Sequence, residues 1–246
     1  MRAAFFATCV VDQLMPNVGL AALRVLERRG LRADFPPDQT CCGQPFFNAG
    51  YRPEARRLAR ATLRVLAPYD AVVVPSGSCA AMIRLHYAEL FAPDDPEQDA
   101  VASLARRTFE FSEFLVNVLG EPESATGGRF DGVVTFHDGC HALRELGVRD
   151  GPRTLLAGVS GCALREMEGA DRCCGFGGSF AVAFDDISAS MGQAKADAVA
   201  ATGADAVVSC DPSCLLQIRG VLERRGIRVK TLHLAEVLAG QTGEAP

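Results

Sequence analysis

The sequence predicts an α/β fold of two pseudo-twofold-related repeats, each a small parallel sheet flanked by helices. Three observations carry the prediction. Cys41-Cys42-Gly43 recurs as Cys173-Cys174-Gly175, with Cys9 and Cys79 bracketing the first copy and Cys140 and Cys214 the second. The separations are 32 and 37 residues in one copy and 33 and 40 in the other. Short apolar runs alternate with longer amphipathic segments, the pattern of parallel strands joined by helical crossovers. Each patterned cysteine also follows an apolar run, and loops beyond the carboxyl ends of parallel strands form the ligand crevice of such sheets.

In chain order, Ala3 to Cys9 pairs with Gly132 to Cys140 as an apolar strand ending at a cysteine. Val18 to Gly30, with Leu20, Leu23, Val25 and Leu26 at helical spacing and a closing glycine, reads as a helix; its counterpart at Pro152 to Gly158 is shorter. Leu31 to Phe35 and Ala163 to Met167 read as short strands leading into the Cys-Cys-Gly loops. Helices follow at Pro53 to Leu66 and at the alanine-rich Ile187 to Ala201, which stops before Gly203. Asp70 to Val74 and Asp205 to Val208 are short apolar runs of the buried parallel-strand type. They lead to Cys79 and Cys214, and amphipathic segments follow at Ala80 to Phe91 and Leu215 to Gly226. Thr108 to Leu115 and Lys230 to Leu238 close the two halves alike. The repeats therefore span 1–120 and 131–246, with a linker at 121–130 marked by Pro122 and Gly127-Gly128, and Pro93 to Asp99 as a surface insertion.

A chain of 246 residues with 48% hydrophobic content buries a substantial core without disulfide staples. Its 25 basic and 30 acidic residues leave a net charge of -5, which provides no polycationic surface for nucleic acid. No stretch approaches the roughly 20 apolar residues of a membrane span, and Asp12 interrupts the first apolar run where a secretory signal would continue. The expected compartment is the cytoplasm, where thiols stay reduced. Neighbouring Cα atoms lie about 3.8 Å apart, below the roughly 4.4 Å that disulfides require, so neither vicinal pair reads as a disulfide.

Four soft thiolates at one strand-end pole suit either a tetrahedral zinc site or a 4Fe-4S cluster, and the residues alone leave both open. Gly43 and Gly175 fit a backbone that must bend sharply to turn two adjacent thiols toward one centre. His137 and His141 flank Cys140 and read as hydrogen-bonding neighbours of the centre. Gly177-Gly178 would let backbone amides approach cluster sulfides. Cys162, in an apolar stretch without a first-half partner, reads as packing; His86 and His233 read as structural, and the arginines at 56, 57, 60 and 64 as a solvated helix face.

The doubled motif resembles the cysteine-rich domain named for Cys-Cys-Gly, shared by heterodisulfide reductase and the iron-sulfur component of glycolate oxidase. His137-Asp138-Gly139-Cys140-His141, Cys173 to Phe180, Pro75-Ser76-Gly77-Ser78-Cys79 and Thr202-Gly203-Ala204-Asp205 together are similar to the lactate utilization protein A family. That resemblance covers almost the whole chain. It implies an iron-sulfur oxidoreductase subunit, not catalytic alone, carrying one or two clusters and working with partner subunits that oxidise L-lactate to pyruvate. The metal ligands it implies are Cys9, Cys41, Cys42, Cys79, Cys140, Cys173, Cys174 and Cys214. The electron acceptor is not implied.

One departure stands out, because the wider family often closes each half with Cys-x-x-Cys, giving the five thiols of a noncubane centre in heterodisulfide reductase. Here Ser76 and Asp211 occupy the earlier positions, so four thiols per half point to an ordinary cluster or to zinc, with Cys210 as a candidate fifth ligand. The alternative functions are a zinc-stabilised scaffold or interaction protein, and a subunit of a related 2-hydroxy acid or heterodisulfide oxidoreductase.

Overall fold

The computed structural model describes residues 1–120 and 127–240. The first half runs β1 (Ala3–Phe5), α1 (Cys9–Leu14), α2 (Pro16–Arg28), α3 (Gln44–Asn48), α4 (Arg52–Leu66), β2 (Ala71–Val74), α5 (Gly77–Ala81), α6 (Gln98–Arg106), β3 (Thr108–Glu110) and α7 (Phe111–Glu113). The second runs β4 (Arg129–His137), α8 (Cys140–Arg144), α9 (Asp150–Ala157), β5 (Ser160–Leu164), α10 (Phe180–Ala183), α11 (Asp185–Ala201), β6 (Ala206–Ser209), α12 (Pro212–Arg224), β7 (Lys230–His233) and α13 (Leu234–Ala239). Both sheets are parallel, ordered β1-β2-β3 and β5-β4-β6-β7. The fold is α/β, with helices flanking each sheet.

Alternation along the strands divides the core into layers. Phe5, Val73, Val134, Phe136, Ala206 and Val208 point into one apolar core shared by both halves, together with Phe111, Phe114, Leu234 and Val237. Ala4, Phe6, Val72 and Val74 point the other way, under α4, and Val207 faces Val199 and Ile218 beneath α11 and α12. The common core holds the sheets in a fixed relation. The carboxyl ends of their strands are thereby set against each other.

Several expected elements shift. Leu31 to Phe35 is not a strand: a single parallel bridge joins Ala4 to Asp34, with Phe5 N–H donating to the Asp34 carbonyl and Asp34 N–H to that of Ala3, both at 2.8 Å. Pro36 and Pro37 follow and lack the N–H groups that would extend the ladder. The second-half counterpart is a true strand, but at Ser160–Leu164 instead of Ala163 to Met167. Strand β4 begins at Arg129, inside the stretch read as linker, while positions 121–126 of that linker lie outside the described residues. The insertion at Pro93 to Asp99 leads into α6, which the sequence pattern does not separate. Ala80 to Phe91 becomes α5, a π-helical turn at Met82–His86 and a 3-10 turn at Ala88–Leu90.

The alike closures of the two halves are capping boxes. Glu110 caps α7 by accepting from Ser112 and Glu113 N–H at 2.8 and 3.1 Å, and His233 caps α13 through Nδ1, which accepts from Ala235 N–H at 3.1 Å. Burial pushes the Glu110 carboxyl up to about 7, from 4.5. Between those values the folded state holds a proton that the unfolded state has lost, so this group's stabilisation is present below pH 4.5 and falls away as pH rises to 7. Glu110→Gln removes that slope. Subtracting the variant's urea-unfolding free energies from those of the wild type should leave a decline on the order of 3 kcal/mol across the window; a flat difference would contradict the assignment.

Candidate metal centre

Each patterned cysteine sits where a local backbone device puts it. Cys9 is the first residue of α1, whose N-cap Thr8 accepts from Val11 N–H through Oγ1 at 3.3 Å. Cys41 and Cys42 precede Gly43, at φ 89°, and Cys173 and Cys174 precede Gly175, at φ 90°. That left-handed bend is open to glycine and turns each glycine N–H onto the first sulfur of its pair, 3.4 Å from Cys41 Sγ and 3.4 Å from Cys173 Sγ. Cys79 lies in the first turn of α5, with Ser76 Oγ accepting from its N–H at 3.4 Å. Cys214 lies in the first turn of α12, with Asp211 accepting from Ser213 N–H at 3.2 Å. The residues standing in place of the family's extra cysteines are thus helix caps.

Within the first half, Cys9 and Cys41 Sγ are 3.7 Å apart and Cys42 and Cys79 Sγ 3.3 Å apart. Hydrogen bonds from Cys42 and Cys9, with the Gly43 amide, hold the Cys41 thiol well below its usual range; hydrogen bonds to Cys41 push Cys42 and Cys9 up, Cys79 adding to the rise at Cys42 and burial to both. The second half repeats this, with Cys173 held well below its usual range by Cys140 and Cys174, whose own thiols are raised. Each pole therefore combines a ready thiolate with thiols whose protons a metal would displace.

All eight patterned cysteines line a single cavity of about 180 Å³. Contacts between the halves frame it. Asp211 Oδ2 accepts from Ser78 N–H of α5 at 2.8 Å, while its other oxygen caps α12. Gln44 Nε2 meets His141 Nε2 at 3.3 Å, and His141 Nδ1 is 3.4 Å from Cys140 Sγ. Gly177 and Gly178, both at positive φ, also line the cavity. An Arg153 fork grips Asp138 at 2.9 Å through both nitrogens, anchoring the loop between β4 and Cys140.

His137 is wholly buried, neither ring nitrogen has a partner in hydrogen-bonding geometry, and one of them lies with Cys174 and Cys214 Sγ in a group whose members are within 4.8 Å of one another. Burial first, and then the Lys195 charge, depress its pKa to about 3, so the ring is neutral. Lys195 is itself buried, and Nζ donates to the carbonyls of Gly169 at 2.7 Å and Ala170 at 3.3 Å.

The remaining cysteines do not line the cavity. Cys210 is buried with its thiol 3.9 Å from Ser112 Oγ, away from the thiol poles, and Cys162 packs against the shared core. Sequence reasoning missed Gln44 and Ser78 as neighbours of the site, because nothing local marks a contact between halves, and Lys195, because nothing in its alanine-rich helix marks a buried lysine. Asp211 carried a usable signal: Asp-Pro-Ser is an N-cap followed by proline at the first helical position.

Paired parallel sheets with four thiols at each facing pole define a duplicated cysteine-rich domain able to bind a metal cluster. The cysteine-rich domain family CCG matches residues 3–84 and 134–219, one copy in each half. The chain is 42% identical to lactate utilization protein A of Macrococcus caseolyticus over 98% of this chain and 97% of that one. It is 41% identical to lactate utilization protein A of Bacillus subtilis, over 97% and 99%. The chain belongs to the lactate utilization protein A family. In fold it is similar to a hypothetical protein from Helicobacter pylori, whose crystal structure aligns with a TM-score of 0.69 at 12% identity, covering 100% of this chain and 49% of that one. Among the described residues, no helix is long and apolar enough to cross a membrane.

Proposed function

We propose that this protein is the iron-sulfur electron-transfer subunit of a cytoplasmic complex that oxidises L-lactate to pyruvate, with each half, 1–120 and 131–246, holding one cluster on its four patterned cysteines. The observation that carries this is the convergence of both four-thiol sets on one cavity. Thiolates are the donors that iron-sulfur clusters use, and four are available to each centre. A bound cluster supplies one-electron storage; the chain supplies the ligands, the glycine amides on Cys41 and Cys173, and a frame that keeps the two centres close. Lactate utilization is what the relatives' names carry, and the partner subunits belong to the same family reading.

Zinc is the second reading, favoured by one distance. A tetrahedral site with bonds of about 2.3 Å places its sulfurs about 3.8 Å apart, and Cys9 and Cys41 Sγ stand at 3.7 Å. Metal and acid-labile sulfide analysis of anaerobically purified protein separates the readings. Iron and sulfide in matching amounts, with visible sulfur-to-iron charge-transfer absorbance, are expected. Stoichiometric zinc in a colourless protein would overturn the cluster assignment.

A further inference from the structure

The repeats match in thiol number but not in what stands behind the thiols. His137 ends β4 three residues before Cys140; at the same place before Cys9 stands Phe6, equally buried and unable to donate. Lys195 follows Cys174 at the distance at which Leu63 follows Cys42. The second pole thus carries a buried imidazole and a buried ammonium where the first carries two hydrocarbons.

A neutral imidazole keeps one N–H, and a buried N–H without an acceptor is destabilising. The acceptors nearest the ring are the Ala170 carbonyl, which already accepts from Asp138 N–H and Lys195 Nζ, and the sulfurs of Cys174 and Cys214. The sulfurs become anionic acceptors when they bind metal. Lys195 adds a positive charge felt by the same two cysteines. Of the nearby anions, Asp138 is held by Arg153 and Asp211 is shared between the halves through Ser78 and Ser213, while Asp171 also acts on Lys195. Hydrogen bonds to cluster sulfurs and nearby positive charge both stabilise the more negative, reduced state.

We propose that the two centres are unequal, and that an N–H donated by His137 to the thiolates of Cys174 and Cys214, reinforced by the Lys195 ammonium, makes the second-half centre the more easily reduced. Electrons entering the cavity then collect at the second half. The inference rests on the cluster reading above, and its test separates the two.

The test is an anaerobic redox titration of the full chain reconstituted with iron and sulfide, followed by electron paramagnetic resonance. The wild type should reduce in two steps. His137→Phe, which copies Phe6, should lower the higher midpoint and leave the lower one in place; His137→Gln, which keeps an N–H, should stay near the wild type. Lys195→Met should lower the same higher step. A single step in the wild type, or His137→Phe and Lys195→Met proteins with full iron content and unmoved midpoints, would overturn the proposal. Should His137→Phe fail to retain iron, Lys195→Met alone decides by the same criterion. A wild type that takes up no iron or sulfide overturns the cluster reading, and the inference with it.

Discussion

Cys42→Ala and Cys174→Ala should each lose about half of the bound iron, with the other half of the chain keeping its full complement. Both cysteines are 2% exposed, so replacement by a smaller apolar residue introduces no buried polar group and leaves the local packing nearly intact. The chemistry changes much more. Cys42 Sγ lies 3.3 Å from Cys79 Sγ, and Cys174 is joined in the same way to Cys214, so each substitution removes one of four thiols from its own pole. Changes to residues that only support a metal ligand already cost about 10–100-fold in affinity, and loss of the ligand itself should exceed that. Iron per chain, sulfide per chain and far-ultraviolet circular dichroism on each variant check the expectation. Total loss of iron from either single variant, with the fold retained, would mean that the halves build one shared centre instead of two.

Gly77→Ala should destabilise the protein by about 1–3 kcal/mol and lower metal occupancy in both halves. A Cβ at Gly77 would stand 2.5 Å from Ala142 Cβ, 3.1 Å from its Cα and 3.2 Å from its backbone nitrogen. Backbone and a methyl group cannot swing aside as a long side chain can. Helix α5 carries Cys79 and α8 carries Cys140, so forcing them apart strains both poles at once. Gly220→Ala is the control, since a Cβ there meets nothing within 4 Å and its φ is not left-handed; it should be neutral or slightly stabilising in the same denaturation series. The double variant Gly77→Ala with Ala142→Gly removes the 2.5 Å methyl contact and should recover part of the loss, the backbone contacts at 3.1 and 3.2 Å and the helical glycine keeping it below wild type. A Gly77→Ala protein as stable as the Gly220→Ala control would sink the argument that this contact sets the spacing of the poles.

Much of the fold is legible in the sequence because it is written in short-range patterns. The run Ala71 to Val74 is apolar at every position and bounded by Asp70 and Pro75, and it is β2. The arginine-studded helix from Arg52 follows from apolar positions at helical spacing and stops at Leu66. Gly43 and Gly175 read as sharp bends because two adjacent side chains cannot face one centre on ordinary backbone, and both adopt positive φ. Leu31 to Phe35 departs from expectation for a reason of the same scale: its apolar content suits a strand, but the following Pro36-Pro37 ends the ladder after a single bridge.

The site is legible as a set of thiols and illegible as a space. Ser76 and Asp211 appear in the sequence only as missing ligands; in three dimensions they are the caps that hold Cys79 and Cys214 in the first turns of α5 and α12. Cys210 neighbours Asp211 in the chain, yet its thiol turns toward Ser112 because the alternation at the end of β6 directs it into the shared core. Lys195 lies in an alanine-rich helix whose sequence gives no reason for one lysine to be buried. Only the fold brings it to the carbonyls of Gly169 and Ala170 and to the thiol pole.

The α/β class, the duplication, the eight patterned thiols and the glycine bends beside them are all set by the sequence alone. Each of these depends on periodicity, spacing or backbone freedom within a few residues, and the covalent chain carries that information directly. Tertiary structure decided that the poles open onto one cavity, that Asp211 and Gln44 tie one half to the other, and that His137 and Lys195 stand behind one pole and not its counterpart. Those features arise where residues far apart in the chain meet across the shared core. Their positions follow from how two sheets bury a common apolar face, which no local pattern specifies.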